Sequence, residues 1–279
     1  MRTPLPGGRW QAQLRLGFVR GGDGTKLGER IHCGPLRVQK PLYPEGAQVC
    51  HAIIVHPPGG IVGGDALAID IGAANGAHAL LTTPGAGKWY RANGCPSRQD
   101  MRIDVAENAA LEWLPQETLF YREAEVEMTH DVSLAANARY LGSELLCFGR
   151  TASGEVFTEG SIRQTSTIRR DGELVWHEEG RIDGAGAAMH SRFGLDGNTV
   201  CASLVACGLT LDAGQLRQLR EELDRTGGTT GVTQLPKIVV VRHLGRSSEA
   251  ARAVLLAAWR RLRPALLGRE ATVPRLWTT

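Results

Sequence analysis

The chain has 279 residues, 42% of them hydrophobic, enough to bury a sizeable core as one large domain or two small ones and too apolar for a disordered chain. Its 32 basic and 29 acidic residues leave a net charge of +3, which excludes a broad positive field for nucleic acid or an anionic membrane. The 35 glycines, well above the average share of about 7%, and 13 prolines spread along the chain call for many turns between short elements and favour a β-rich architecture.

In chain order, the opening stretch MRTPLPGGRWQAQLRLGF has no apolar leader core, and the longest apolar run, residues 253–259, is too short to span a bilayer; a cytoplasmic chain is expected. Leu67, Ile69 and Ile71 alternate with Ala66, Ala68 and Asp70, the period of a strand. Ile103 and Val105 flank Asp104, and Val126 and Met128 alternate with Glu125, Glu127 and Thr129, in the same way. Residues 132–146 are ambiguous, their Ala and Leu content suiting a helix and their neighbours a strand.

Past Leu211 the period changes. Asp212 as N-cap, followed by Leu216, Leu219 and Leu223, predicts a helix that Gly227 and Gly228 end. A strand follows over residues 237–242. A second helix starts near Ser247 and Ser248, has Glu249 in its first turn, presents Val254, Leu255, Ala258, Trp259 and Leu262, and is stopped by Pro264. No repeat of fixed period and no low-complexity linker divides the chain, which predicts one domain over residues 1–279, β-rich through residue 210 and helix-containing from 211 to 279.

The glycine-rich stretches invite a nucleotide reading, and it fails residue by residue. HPPGGIVGGD, residues 56–65, has no Lys. In PGAGKWY, Thr82 stands where the first glycine of a phosphate loop belongs and Trp89 where the magnesium-binding hydroxyl belongs. Gly184 and Gly186 open a dinucleotide-like pattern that Met189 breaks. Catalytic signatures are equally absent: there is no GxSxG, no HExxH and no CxxC among six cysteines. His51 and His56 are five apart, which on one strand aims them at opposite faces, and a lone His beside the apolar residues 52–55 reads as a hydrogen-bonded structural residue. A β-rich metal-dependent hydrolase built from scattered His and Asp residues is the alternative reading, but no spacing implies the three converging ligands it needs.

Six segments recur together in one order: GPLRVQKPLYPEG (34–46), HPPGGIVGGD (56–65), GAHALLTTPGAGKWYR (76–91), LEWLPQETLFYREA (111–124), GRTASGEVF (149–157) and PRLWTT (274–279). On these the chain resembles the urease accessory proteins of the UreD family, called UreH in some organisms. The resemblance spans nearly the whole chain. It implies a mainly β fold of stacked sheets in a helically wound path with two α-helices near the C-terminus. It also implies a non-enzymatic maturation factor that joins UreF and the GTPase UreG, is dimeric within that complex, binds apo-urease and helps deliver nickel through an internal tunnel.

No tightly bound cofactor is implied, only nickel(II) in transit, with no nucleic acid and no membrane partner. A divalent cation moving through protein needs oxygen or nitrogen groups that offset its desolvation without holding it tightly. The acids that the resemblance places at matching motif positions, Asp65 in HPPGGIVGGD and Glu178 in LVWHEEG, are therefore the candidates for metal passage, and Glu117 in LEWLPQET and Glu155 in GRTASGEVF are further acids that could join them. For partner binding the candidates are Leu216, Leu219 and Trp259 on the C-terminal helices and Trp277 in the tail. For the glycines of HPPGGIVGGD the residues themselves point to tight corners of a coiled sheet.

Overall fold

A computed structural model describes residues 10–226 and 228–278. Gly227, Thr279 of the closing motif and the first nine residues of the opening stretch lie outside the described residues. Strands follow one another in quick succession: β1 (Gln11–Gly21), β2 (Gly24–Cys33), β3 (Arg37–Val38), β4 (Cys50–Val55), β5 (Ala66–Ala73) and β6 (His78–Thr82). Next come β7 (Gly87–Trp89), β8 (Ser97–Val105), β9 (Ala110–Trp113), β10 (Thr118–Phe120), β11 (Ala124–Leu134), β12 (Arg139–Phe148), β13 (Gly160–Arg170) and β14 (Glu173–Asp183). The remainder is α1 (Ala187–His190), β15 (Val200–Cys207), α2 (Ala213–Asp224), β16 (Thr229–Leu235), β17 (Ile238–Gly245) and α3 (Ser248–Leu267). The ambiguous residues 132–146 are thus the end of one strand and most of the next, joined by a turn.

Two sheets hold these strands, one in the order β14-β13-β11-β8-β5-β1-β2, the other in the order β16-β17-β15-β12-β9-β6-β4-β3, with β7 and β10 branching from the second. Between β4 and β13 the chain winds from one sheet to the other and back, laying β5, β8, β11 and β13 side by side in parallel and β4, β6, β9 and β12 likewise. The antiparallel pairs β1–β2 and β13–β14 finish the first sheet at its two ends. This is the coiled stack of sheets with two C-terminal helices that the resemblance implied.

The corners of the coil are stacked too. Ile61 bridges to Trp89, Trp89 pairs with Phe120, and Phe120 with Phe148, all in parallel register. These four buried side chains stand 28, 31 and 28 residues apart, one turn of the coil at a time.

Burial follows from which faces each sheet presents. β5, ALAIDIGA, alternates because the first sheet meets the core on one face and water on the other. β9 and most of β12 are buried throughout because the second sheet packs against the first sheet on one face and against α2 and α3 on the other. Val254, Ala258, Trp259, Leu262 and Leu266 of α3 are all buried, each large side chain contributing about 1.5–3 kcal/mol.

Both helices are capped as their sequences require. The Gln215 amide donates to the Asp212 carboxylate at 2.8 Å while the Gln215 side chain accepts from the Asp212 amide, and Ser247 accepts from the Ala250 amide. Pro264 does not stop α3, which continues to Leu267. A proline this close to the end removes a single ladder bond, and the left-handed Gly268, whose amide donates to the Pro264 carbonyl at 2.9 Å, closes the helix instead. No helix among the described residues is long and apolar enough to cross a membrane.

Candidate functional site

Three of the distinctive segments meet at one place. The HPPGG turn supplies His56, Gly59, Gly60 and Ile61, the TTPGAGK corner supplies the backbone from Thr83 to Lys88, and LEWLPQET supplies Trp113 and residues 115–118; together they wall a cavity of about 360 Å³ between the sheets. Backbone pairing brings them there: the Ile61 amide donates to the Lys88 carbonyl at 2.8 Å and the Gly87 amide to the Glu117 carbonyl at 2.8 Å. Each segment is a corner of a successive turn of the coil, which is why residues 27–32 apart in sequence line one space.

The glycines at the first corner have separate physical reasons. A Cβ on Gly63 would lie 1.7 Å from the Ala92 carbonyl oxygen, so the two backbones can touch only without one. Gly64 has φ +87°, a conformation that favours glycine. By contrast nothing lies within 4 Å of a Cβ on Gly85 in the TTPGAGK corner, and Lys88 sits on strand β7 rather than at a helix N-terminus.

Polar groups in this cavity are few and individually restrained. His56, Lys88, Gln99, Gln116, Glu117 and Glu144 face it. Burial holds the His56 imidazole below its ordinary range, with the Asp65 charge opposing only in part, so its ring is neutral and can offer a lone pair. Gln116 and Glu117 each accept from the Arg252 guanidinium of α3, which ties the LPQET loop to the helix.

Glu144 accepts from the Gln164 amide and stands 3.8 Å from the His130 ring, whose other nitrogen lies 3.2 Å from the Tyr140 hydroxyl. It also lines three spaces: the 360 Å³ cavity, a second of about 510 Å³ lined by Gln164, Glu178, Cys201 and Arg242, and a small one of about 40 Å³ with His130, Glu178 and Ser203. Burial, with the negative charge of Glu144 adding to it, pushes the Cys201 thiol beside the second cavity up to about 12. Among the described residues, no group of three or more His, Cys, Asp or Glu side chains is placed to hold a metal ion.

Glu178 lies where the second and third cavities meet, half-exposed at their edge and accepting from Arg242 at 2.8 Å. Asp65 is buried behind the first cavity, with one carboxylate oxygen accepting from the Trp10 amide at 2.8 Å and the other from the Val62 amide at 3.0 Å. Its oxygens are committed to closing the GIVGGD turn, and it reaches the cavity through its charge on His56. Glu117 faces the first cavity, whereas Glu155 is paired with Arg150 at 2.7 Å on the far side of a corner.

Of the residues expected at a partner surface, Leu219 and Trp259 face inward and are fully buried under the second sheet. Leu216 and Trp277 are half-buried. The Trp277 indole donates to the Thr82 hydroxyl at 2.9 Å and lies 5.8 Å from the Trp259 ring, so the tail is laid over α3 and β6. A small apolar pocket of about 120 Å³ opens between these two rings, the LPQET loop and Arg252.

Sequence reading missed a buried charge network on the helix side of the second sheet. Arg263 of α3 reaches Glu112 of β9 through its Nε at 2.9 Å and Glu45 through Nη1 at 2.8 Å and Nη2 at 2.9 Å. The Trp259 indole donates to Glu112 at 2.8 Å, His78 bonds the same carboxylate at 2.9 Å, and His51 bonds Glu45 at 2.7 Å. His51 is therefore the satisfied structural histidine its surroundings predicted, facing away from the cavity that His56 lines. The one signal for the network was Glu112 inside LEWL, an acid in an otherwise apolar strand.

One known family accounts for the sequence over nearly its whole length: the model of the UreD urease accessory protein matches residues 11–278. The chain belongs to the UreD urease accessory protein family. It is similar to the urease accessory protein UreD of Janthinobacterium sp. (strain Marseille), 55% identical over 271 residues that cover 96% of this chain and 92% of the relative. It is 47% identical to the UreD of Nitrosospira multiformis over 96% of this chain and 98% of that protein, and 49% identical to the UreD of Pseudomonas fluorescens (strain Pf0-1) over 97% and 95%. As a UreD-family member the chain is an accessory protein in urease maturation and not a catalyst, which sets aside the metal-dependent hydrolase.

Proposed function

We propose that this UreD-family chain is the scaffold that passes nickel(II) to apo-urease, the ion crossing between the two sheets through the cavities that meet at Glu144. The observation that carries this reading is the sharing of Glu144 by all three spaces, with His56 and Glu117 on one side of it and His130 and Glu178 on the other. Oxygen and nitrogen donors spaced singly along a path lower the cost of stripping water from the ion at each point, while the lack of a converging set among the described residues keeps any one point from becoming a trap. Asp65 serves from behind, through the charge it places on His56.

In this reading no cofactor stays bound, and nickel is cargo. UreF and the GTPase UreG are the companion proteins, within a dimeric cytoplasmic assembly, and the half-buried Leu216 and Trp277 contribute to the surface that meets them. The test is co-expression of urease with the full accessory set and either wild-type chain, Glu144→Gln or Glu178→Gln, scoring co-purification and the nickel content of urease separately. The expected result is normal assembly with at least tenfold less nickel delivered by Glu144→Gln, a loss of about 1.4 kcal/mol or more in barrier terms. Wild-type nickel loading by both variants would remove the passage from the proposal, and full urease activation without this chain would remove the maturation role.

A further inference from the structure

Pro115, Gln116 and Glu117 line two spaces at once, the inner 360 Å³ cavity and the apolar pocket of about 120 Å³ beside α3 and the tail. Along this stretch the wall between the two is a single segment of chain. Its backbone is pinned to the TTPGAGK corner: the Gln116 amide donates to the Thr83 hydroxyl at 3.0 Å and the Gly87 amide to the Glu117 carbonyl at 2.8 Å. Its side chains are held from the opposite direction. Arg252 of α3 donates through Nη1 to Gln116 Oε1 and through Nη2 to Glu117 Oε1, so one planar guanidinium bridges both side chains.

The charges at this wall are arranged against a cation. The Glu117 side chain is 13% exposed, and among the described residues Arg252 is the cation paired with it. Past the pair, the outer pocket is built from Leu255, Leu256, Trp259, Val273 and Trp277. Both indole N–H groups there are committed elsewhere, Trp259 to Glu112 and Trp277 to Thr82. A divalent ion leaving the inner cavity on this side therefore meets a guanidinium and then an apolar lining that cannot replace the water it sheds. With Arg252 removed, Glu117 stands between the two spaces as a lone carboxylate, and the barrier at the wall falls.

We propose that Arg252 is a positioning residue for nickel passage: by holding Gln116 and Glu117 it seals a side opening from the inner cavity to the helix side of the protein, and so keeps the ion on the route past Glu144. The inference rests on the passage reading. Only Oε1 of Glu117 is taken, which leaves Oε2 to a passing ion. The seal also accounts for a pair that stability does not demand, since α3 is held to the sheet by Val254, Ala258, Trp259, Leu262 and Leu266, and an ion pair whose arginine is 36% exposed adds little to that.

The test uses the complete accessory assembly with apo-urease, its chain being wild type, Arg252→Ala, Arg252→Lys or the double variant Arg252→Ala with Glu117→Gln. Each assembly is preloaded with nickel(II), freed of excess metal and started on transfer in the presence of EDTA; the nickel captured by EDTA and the nickel reaching urease are read separately, with co-purification of the assembly as a control. Arg252→Ala is expected to lose nickel to EDTA about tenfold faster than wild type and Arg252→Lys roughly threefold faster, as fits the loss or weakening of charged hydrogen bonds. The double variant, which has no lone carboxylate in the wall, is expected to return toward the wild-type rate. Equal capture from wild type and both single variants overturns the seal, and equal capture from Arg252→Ala and the double variant overturns it too, since the leak then comes from loosened packing and not from the freed charge. Arg252→Lys decides the matter if Arg252→Ala does not assemble. A wild-type assembly that loads no nickel into urease even without EDTA overturns the passage reading itself, an outcome distinct from the others.

Discussion

Glu112 in the middle of the second sheet and Arg263 in α3 are both fully buried, 151 residues apart in sequence and 2.9 Å apart in space. Burial alone raises the Glu112 carboxyl, but the His78 and Arg263 partners outweigh it and hold the group below its ordinary range, so the pair is ionised inside the protein. A buried pair of this kind adds little against a well-packed apolar alternative, yet breaking it leaves a lone charge without water. Arg263→Met, which strands Glu112 and Glu45 together, is expected to cost about 3–5 kcal/mol and to lower the melting temperature by roughly 6–20 °C. A calorimetric melt within 2 °C or so of wild type would contradict this account of the network.

Glu45 makes the same network sensitive to acid. Burial raises its carboxyl, but hydrogen bonds from His51 and Arg263 prevail and bring it down to about 2 from the ordinary 4.5. Because the folded value is the lower one, the stabilisation is complete above about pH 4.5 and is lost as pH falls toward 2. Melting curves taken across that window should fall more steeply for wild type than for Glu45→Gln. Parallel curves would mean that Glu45 is not the titrating group.

Two glycine substitutions separate close packing from sequence habit. Gly63→Ala drives a methyl group into the Ala92 carbonyl and must push apart the first two corners of the coil, so it should lower stability by 2 kcal/mol or more, roughly the cost of overpacking a rigid site. Gly85→Ala points into open space and should change stability by less than about 0.5 kcal/mol. Chemical denaturation of the two variants side by side decides it; equal costs would mean that the corners do not constrain the chain as described.

Arg252 joins α3 to Gln116 and Glu117, the two residues that stand between the inner cavity and the apolar pocket beside Trp277. Arg252→Ala is expected to leave the helix in place, since its buried face is made by other residues, while freeing the loop. Amide exchange over residues 114–118 should quicken at least tenfold with little change over α3, and unchanged exchange in the loop would show that backbone pairing alone holds it.

Much of the fold was legible because it rests on local rules. The alternation of β5 and β8 shows one wet face, and Asp212 and Ser247 announce the helices they cap. What sequence reading lost was the period of the coil. Ile61, Trp89, Phe120 and Phe148 share a structural position but not a residue type, and the spacing shifts between 28 and 31, so no repeat shows in the letters. The strands of the second sheet, buried on both faces, lose the alternation that identifies a strand. For the site, Glu178 lies at a cavity edge, Glu144 sits in the ordinary-looking LGSELL and Arg263 stands beside Pro264, where a helix end is expected. Their importance comes from long-range register, which a linear reading does not carry.

The two antiparallel returns of the first sheet have a consequence for the molecule as a particle. A parallel coil is open-ended in principle, since each turn offers the next a row of unmet amides and carbonyls, and identical copies of such a chain could lengthen into a fibre. Here β2 and β14 reverse direction at the two ends and place Lys26, Glu29 and Arg30 on one outermost strand and Glu179, Arg181 and Asp183 on the other. Growth along the stack is terminated by strand direction and by charge, so self-association through this sheet is disfavoured and the remaining surfaces are left to choose partners.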